Sequence, residues 1–180
     1  MGGFRKKFRP NSRWVRYDRF SQLWIPTRKR LILYWYKFLQ HAELSDDYEV
    51  DWSKYDGWGG RESVLNTKFD DWWKQNWAEL FGYGINSRAR YQLSTRHPKA
   101  DAIRFALLVY ENRHKGSKWQ IAKEIQRQEL SKRNGVPSFY YATDGVDYGK
   151  EDKMIIQSKV GLFHRNAEQI LEHVCSGVFP

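Results

Sequence analysis

The chain has 180 residues, of which 41% are hydrophobic and 17% aromatic, with a formal net charge of +10. This length allows one domain or two small ones, and the aromatic content excludes a disordered chain. Cys175 is the only cysteine, which excludes an internal disulfide and a multi-cysteine zinc site. No apolar run approaches the ~18 residues of a membrane span, and residues 1–7 lack an apolar signal core. We therefore expect a cytoplasmic protein.

The positive charge is concentrated in two separate regions. Residues 1–30 hold ten Lys or Arg and one Asp, residues 43–79 hold four bases and ten acids, and residues 80–180 hold sixteen bases and ten acids. This distribution favours an oriented contact with a polyanion. In residues 1–30 the bases alternate with aromatic residues, so phosphate neutralisation and ring stacking would be combined there. A partner-binding or solubilising tail is the alternative interpretation of this segment.

Two amphipathic helices are predicted in the N-terminal half. The first begins at Thr27, which can cap it, and runs to Leu44 with apolar side chains at spacings of three and four. The second runs from Thr67 to Phe81 and carries a continuous aromatic stripe, which Gly82 ends. The stripe favours a core packed on the first helix. If it were exposed, it would indicate a surface for a partner protein.

Three further helices are predicted in the C-terminal half, at 98–114, 117–131 and 154–174. Ser117 and Gln120 have the spacing of a capping box. In the last helix we expect an apolar stripe, with Gly161 weakening the continuity. Its members are Ile155, Lys159, Leu162, Phe163, Ala167, Ile170, Leu171 and Val174. Turn residues between the second and third of these helices allow a short β-hairpin wing near 137–150.

These elements predict a mainly α fold. Its parts would be a basic aromatic N-terminal arm at 1–26, an aromatic-rich helical subdomain at 27–97 and a helix-turn-helix-like helical subdomain at 98–180. The sequences Ser117-Lys-Trp-Gln-Ile-Ala-Lys-Glu-Ile125 and Ala167-Glu-Gln-Ile-Leu171, with the closing Gly177-Val-Phe-Pro180, resemble small prokaryotic phage or mobile-element DNA-binding proteins. The resemblance implies a positioning helix followed by a helix that enters a DNA groove.

Signatures of enzymes and metal sites are absent from the sequence. The five histidines stand singly, and neither a phosphate-binding GxxxxGK[ST] loop nor a Gly-x-Ser-x-Gly motif occurs. We therefore expect no cofactor, no metal site and no catalytic residue. Asp144 and Asp147 lie near Lys150 and Lys153, an arrangement that a metal-dependent nuclease could use, but a solvated acidic loop is favoured. Cys175 is interpreted as a small apolar residue.

The sequence thus predicts a nucleic-acid-binding protein that is not an enzyme and has duplex DNA as its favoured partner. It would be a regulatory or architectural accessory protein of a phage or mobile element, with no membrane contact. A protein-interaction adaptor or inhibitor that binds an acidic protein or ribonucleoprotein is the alternative, and a metal-dependent nuclease is third. The oligomeric state stays open. The expected nucleic-acid contacts are Arg5, Lys6, Lys7, Arg9, Arg13, Arg16, Arg88, Arg90, Lys118, Lys123, Lys159, Arg165 and Asn166.

Overall fold

The fold is mainly helical, as the sequence predicts. The computed structural model describes residues 15–18, 23–26, 29–82, 89–94, 99–131 and 147–179. Within these ranges the α-helices are α1 (Lys29–Glu43), α2 (Gly60–Asn66), α3 (Phe69–Phe81), α4 (Ala100–Glu111), α5 (Lys118–Ser131) and α6 (Lys150–Cys175). A two-stranded antiparallel hairpin, β1 (Val15–Asp18) and β2 (Leu23–Pro26), precedes them.

This hairpin lies in the segment at 1–26 for which we expected a basic aromatic arm. Arg16 of β1 pairs with Ile25 of β2, Tyr17 pairs with Trp24, and β2 contacts α3. The strands are rich in Val, Tyr, Trp and Ile, which favour extended backbone, so local propensity accounts for them. The predicted wing near 137–150 falls largely outside the described residues. Of that segment, residues 147–149 have no regular structure and Lys150 begins α6.

The chain folds into two compact units, Met1–Pro98 with Leu171–Pro180, and Lys99–Ile170. The first is called unit 1 and the second unit 2. The sequence-based division instead kept 171–180 with the preceding helices. Hydrogen bonds show why these residues join unit 1: the Tyr55 hydroxyl donates to the Val174 carbonyl at 2.6 Å, and the Asp51 N–H donates to the Cys175 carbonyl at 2.9 Å.

Unit 1 has an aromatic core centred on Trp35 of α1. Trp35 is 1% exposed and stacks on Phe179, with ring centroids 5.5 Å apart. Its indole N–H donates to the Tyr55 hydroxyl at 3.1 Å. Of the predicted α3 stripe, Trp72, Leu80 and Phe81 are buried, whereas Phe69, Trp73 and Trp77 are half-buried. The aromatic rings of unit 1 therefore serve mainly as core.

Unit 2 is built from α4, α5 and most of α6, which share one hydrophobic cluster. Its buried members are Phe105, Leu108, Val109, Ile121, Ala122, Ile125, Ile156, Val160 and Phe163. The predicted capping box of α5 is present: the Ser117 N–H donates to Gln120 Oε1 at 2.7 Å, and the Gln120 N–H donates to Ser117 Oγ at 3.3 Å. Further along α5, the side chain of Gln128 donates to Asn112 Oδ1 at 3.0 Å.

The buried stripe of α6 agrees with the predicted one from Phe163 onwards, since Phe163, Ala167, Ile170, Leu171 and Val174 are buried, and differs from it before Phe163. Ile155 is 46% and Leu162 40% exposed, whereas Ile156 and Val160 are buried. Two adjacent isoleucines allow two phases of the helical repeat, and the phase that continues through Phe163 packs into the core of unit 2. Gly161 does not interrupt the helix, because α6 is continuous from Lys150 to Cys175.

Candidate nucleic-acid interface

Two cationic side chains of unit 2 approach each other next to Gly161. A Cβ atom placed on this glycine would lie 3.0 Å from Lys118 Nζ and 3.9 Å from a guanidinium nitrogen of Arg165. The charged nitrogens of the two side chains are therefore at most 6.9 Å apart, which is the sum of these two distances. Both residues were among the contacts predicted from the sequence, and the fold brings them together although they lie on different helices. They are called the Lys118–Arg165 pair below.

Local structure explains this convergence. Ser117 caps α5, so Lys118 becomes its first helical residue. Arg165 follows Gly161 by four residues on α6, which places both on the same side of that helix. Gly161 is buried and has no side chain, so the end of the Lys118 side chain can approach the α6 backbone.

The Lys118–Arg165 pair is exposed and electrostatically unbalanced. Both side chains are exposed, and within the described parts of the chain neither forms an ion pair. Two positive charges at this separation repel each other, and an anion bound between them would relieve the repulsion. The repulsion is weak in water and grows when a ligand excludes water. The pair is therefore suited to a phosphate oxygen or a similar oxyanion.

Lys153 is a further exposed cation near the beginning of α6. It precedes Gly161 by eight residues, about two helical turns. Its ammonium lies 5.9 Å from the centroid of the Trp119 ring, which packs edge-on against Tyr148 at 5.4 Å. Lys153 is not among the predicted contacts. Arg165 follows Lys153 by twelve residues and lies about 120° from it around α6, so the contact with Trp119, and not the spacing along the helix, defines the position of Lys153.

The middle of α6 contains no acidic residue. Residues 153–167 include Lys153, Lys159 and Arg165 and no Asp or Glu, whereas the acids of the helix precede or follow this segment. Those acids are Glu151, Asp152, Glu168 and Glu172. A helix segment of this composition can approach a polyanion without like-charge repulsion.

The other predicted contacts are placed less favourably or lie outside the described residues. Arg90 forms ion pairs in unit 1 with Asp56 and, at 3.2 Å, with Glu79, so its charge is already balanced. Lys123 is half-buried and, five residues after Lys118, lies about 140° around α5. Lys159 and Asn166 are half-buried on α6, and Arg16 belongs to β1. Arg5, Lys6, Lys7, Arg9, Arg13 and Arg88 lie outside the described residues.

Three observations in the described ranges bear on other kinds of chemistry. No group of three or more His, Cys, Asp or Glu residues could hold a metal ion there. Burial raises the pKa of the Cys175 thiol, which disfavours the nucleophilic thiolate. A cleft of about 340 Å³ in unit 1 is lined by Tyr36, whose hydroxyl donates to the Thr67 carbonyl at 2.8 Å and whose pKa burial raises to about 12. That hydroxyl is thus a structural donor rather than an acid or base.

No helix of the described ranges combines the length and the apolar character needed to cross a lipid bilayer. Comparison with known protein families, with curated proteins and with solved structures finds no match to the chain. The case for the site therefore rests on its charge and geometry.

Proposed function

We propose that the protein binds nucleic acid, with duplex DNA favoured, and that it is a regulatory or architectural accessory protein of a phage or mobile element. In this proposal it acts in the cytoplasm and is not an enzyme. The observation that carries the proposal is the Lys118–Arg165 pair, two exposed cations held within 6.9 Å of each other over a buried glycine.

The dimensions of the pair suit a nucleic-acid backbone. Phosphates follow one another at about 3.4 Å per strand along the axis of duplex DNA, so two cations less than 7 Å apart can share one phosphate or contact neighbouring ones. Such contacts fix the position of a protein on the duplex without reading its sequence. The pair would therefore orient unit 2.

The basic arm supports the same function by its charge. Residues 1–26 carry seven Lys or Arg and one Asp. In the proposal these residues contact phosphates or the minor groove and supply much of the affinity, while the C-terminal helices orient the protein. The helix-turn-helix-like arrangement belongs to the proposal too: α5 would position α6, and α6 would enter the major groove.

One observation favours a second candidate, a protein-interaction adaptor or inhibitor. Met154, Ile155 and Leu162 are 59%, 46% and 40% exposed on α6. Exposed apolar side chains next to cations would also suit an acidic protein partner.

Salt-dependent binding tests the proposal. We expect the wild-type protein to bind a mixed-sequence DNA duplex at low salt, with an affinity that falls steeply as salt rises. The double substitution Lys118→Gln and Arg165→Gln should lower the slope of log Kd against log salt by about 2, since each lost phosphate contact removes about 0.9.

The matched control is the double substitution Lys68→Gln and Lys74→Gln, which removes two exposed cations from unit 1. It should change the slope by less than half as much. The charge-retaining variant Lys118→Arg with Arg165→Lys should keep most of the slope. Absence of duplex binding, or equal effects of the two double glutamine variants, would refute the proposed site.

A further inference from the structure

We infer that the solvent-facing side of α6 from Ile155 to Asn166 lies in the major groove of duplex DNA and contacts the base edges there. The side is called the α6 outer face and consists of Ile155, Ser158, Leu162 and Asn166. This inference rests on the proposed function. It adds the side of α6 that enters the groove and the side chains that face the bases.

The spacing and exposure of these residues define the face. They follow one another at intervals of three, four and four, so they lie along one side of a helix. Ile155 and Leu162 are 46% and 40% exposed, Ser158 is exposed and Asn166 is half-buried. The opposite side of α6, with Ile156, Val160 and Phe163, packs into the core of unit 2 and cannot face a ligand. The α6 outer face is therefore a continuous strip, about 16 Å long at 1.5 Å per residue.

The charge around the α6 outer face indicates which kind of ligand binds there. The α6 outer face lies within the acid-free segment 153–167, and the Lys118–Arg165 pair stands beside it. A helix with cations at its edge and uncharged side chains on its outer face matches a duplex groove, where phosphates line the rims and bases form the floor. Neither the Lys118–Arg165 pair nor the segment 153–167 contains an acidic group that could bind a basic partner.

The chemistry of the outer face favours DNA over RNA. The DNA major groove is about 12 Å wide and admits an α-helix, whereas the major groove of an RNA duplex is too narrow for side chains to read. Asn166 and Ser158 can exchange hydrogen bonds with base edges. Leu162 and Ile155 can contact the thymine methyl group, which RNA lacks. In the complex these two apolar side chains would no longer be exposed to water.

A charge placed on the outer face tests the inference. We expect Leu162→Glu to weaken binding to a 16-base-pair DNA duplex at least tenfold, because a carboxylate would be buried among phosphates and base edges. The matched control is Leu44→Glu, since Leu44 is 72% exposed in unit 1 and the substitution changes the net charge equally. It should change the affinity less than twofold. Fluorescence anisotropy at one fixed salt concentration measures both, with an RNA duplex of the same sequence as a second probe.

Chemical protection gives an independent measurement. Dimethyl sulfate methylates guanine N7 in the major groove and adenine N3 in the minor groove. Saturating wild-type protein should protect guanine N7. Because Leu162 is partly exposed, the variant should keep the circular dichroism spectrum of the wild type. A variant that lost it would be replaced by Leu162→Gln, for which the same direction is expected with a smaller loss.

The outcomes separate this inference from the proposed function. Equal losses in the two glutamate variants, unprotected guanine N7, or equal affinity for the RNA duplex would overturn the major-groove assignment while leaving nucleic-acid binding intact. A dimer of the wild type that Leu162→Glu converts to monomer without weakening DNA binding would assign the face to self-association and also overturn it. A wild-type protein that binds neither duplex would refute the proposed function itself.

Discussion

Replacing Gly161 with alanine should make the protein more stable and a weaker ligand for nucleic acid. Glycine inside a helix costs about 1 kcal/mol relative to alanine, because its backbone loses more conformational freedom on folding. The new Cβ would lie 3.0 Å from Lys118 Nζ and 3.4 Å from Lys118 Cε. These atoms are the far end of a flexible, exposed side chain, which can move aside by a few tenths of an ångström at little cost. The net gain should be about 0.5–1 kcal/mol, or about 1–4 °C in Tm.

The same displacement should weaken polyanion binding. The methyl group would push the Lys118 ammonium away from the Arg165 guanidinium and fill the space between them. We expect affinity for a DNA duplex at low salt to fall about two- to threefold. This loss corresponds to the free energy of one weakened surface ion pair. Thermal unfolding followed by circular dichroism and binding followed by fluorescence anisotropy measure the two effects on one preparation.

A double-mutant cycle with Lys118→Gln isolates the cause. Once Lys118 has lost its charge, Gly161→Ala should have no further effect on binding and should still raise the Tm. A lower Tm in Gly161→Ala would show that α6 cannot accept the Cβ where Lys118 approaches it. An undiminished affinity, or a loss that persists in the Lys118→Gln background, would refute the shared anion site.

Two further predictions concern unit 1. Tyr55→Phe should lower the free energy of unfolding by about 1–3 kcal/mol in a urea titration, because the Trp35 indole N–H and the Val174 carbonyl would both lose their buried partner. Tyr91→Phe is the control and should cost less, since the Tyr91 hydroxyl is exposed to water, and an equal cost would contradict the reasoning. Burial raises the pKa of Tyr55 above its usual value and that of Tyr36 to about 12. Because the folded state then holds these protons more tightly, the stabilisation is present below pH 10 and is lost as the pH rises further. A urea midpoint unchanged from pH 9 to pH 11.5 would contradict this.

Some features of the fold follow from local sequence. The capping box of α5 could be predicted because Ser117 and Gln120 need only each other's backbone and a correct spacing. The phase of α6 before Phe163 could not, since Ile155 and Ile156 are equally apolar and only packing against α4 and α5 selects Ile156. The hairpin at Val15–Asp18 and Leu23–Pro26 was not predicted, because the bases that precede it and Arg16 within it indicate an arm more strongly than a strand.

The candidate site was predictable only in its parts. Lys118 and Arg165 could each be named from basic residues on amphipathic helices. Their approach over Gly161 depends on the packing of α5 against α6, which no local pattern encodes. In the sequence the glycine indicates a weak point in a helix. In the fold it is the space that allows two cations to approach each other.

The stacking of Phe179 on Trp35 sets an order of events during synthesis on the ribosome. All the segments of unit 2 are translated between these two rings, so the core of unit 1 stays incomplete until the residues after Leu171 have left the exit tunnel. Most of unit 1 precedes unit 2 in the sequence. The last residue of the unit 2 hydrophobic cluster is nevertheless translated before Phe179, which completes the core of unit 1. Until the residues after Leu171 have emerged, the aromatic side chains in the N-terminal part of unit 1 stay exposed on the nascent chain. Exposed aromatic surface of this kind binds chaperones and promotes aggregation.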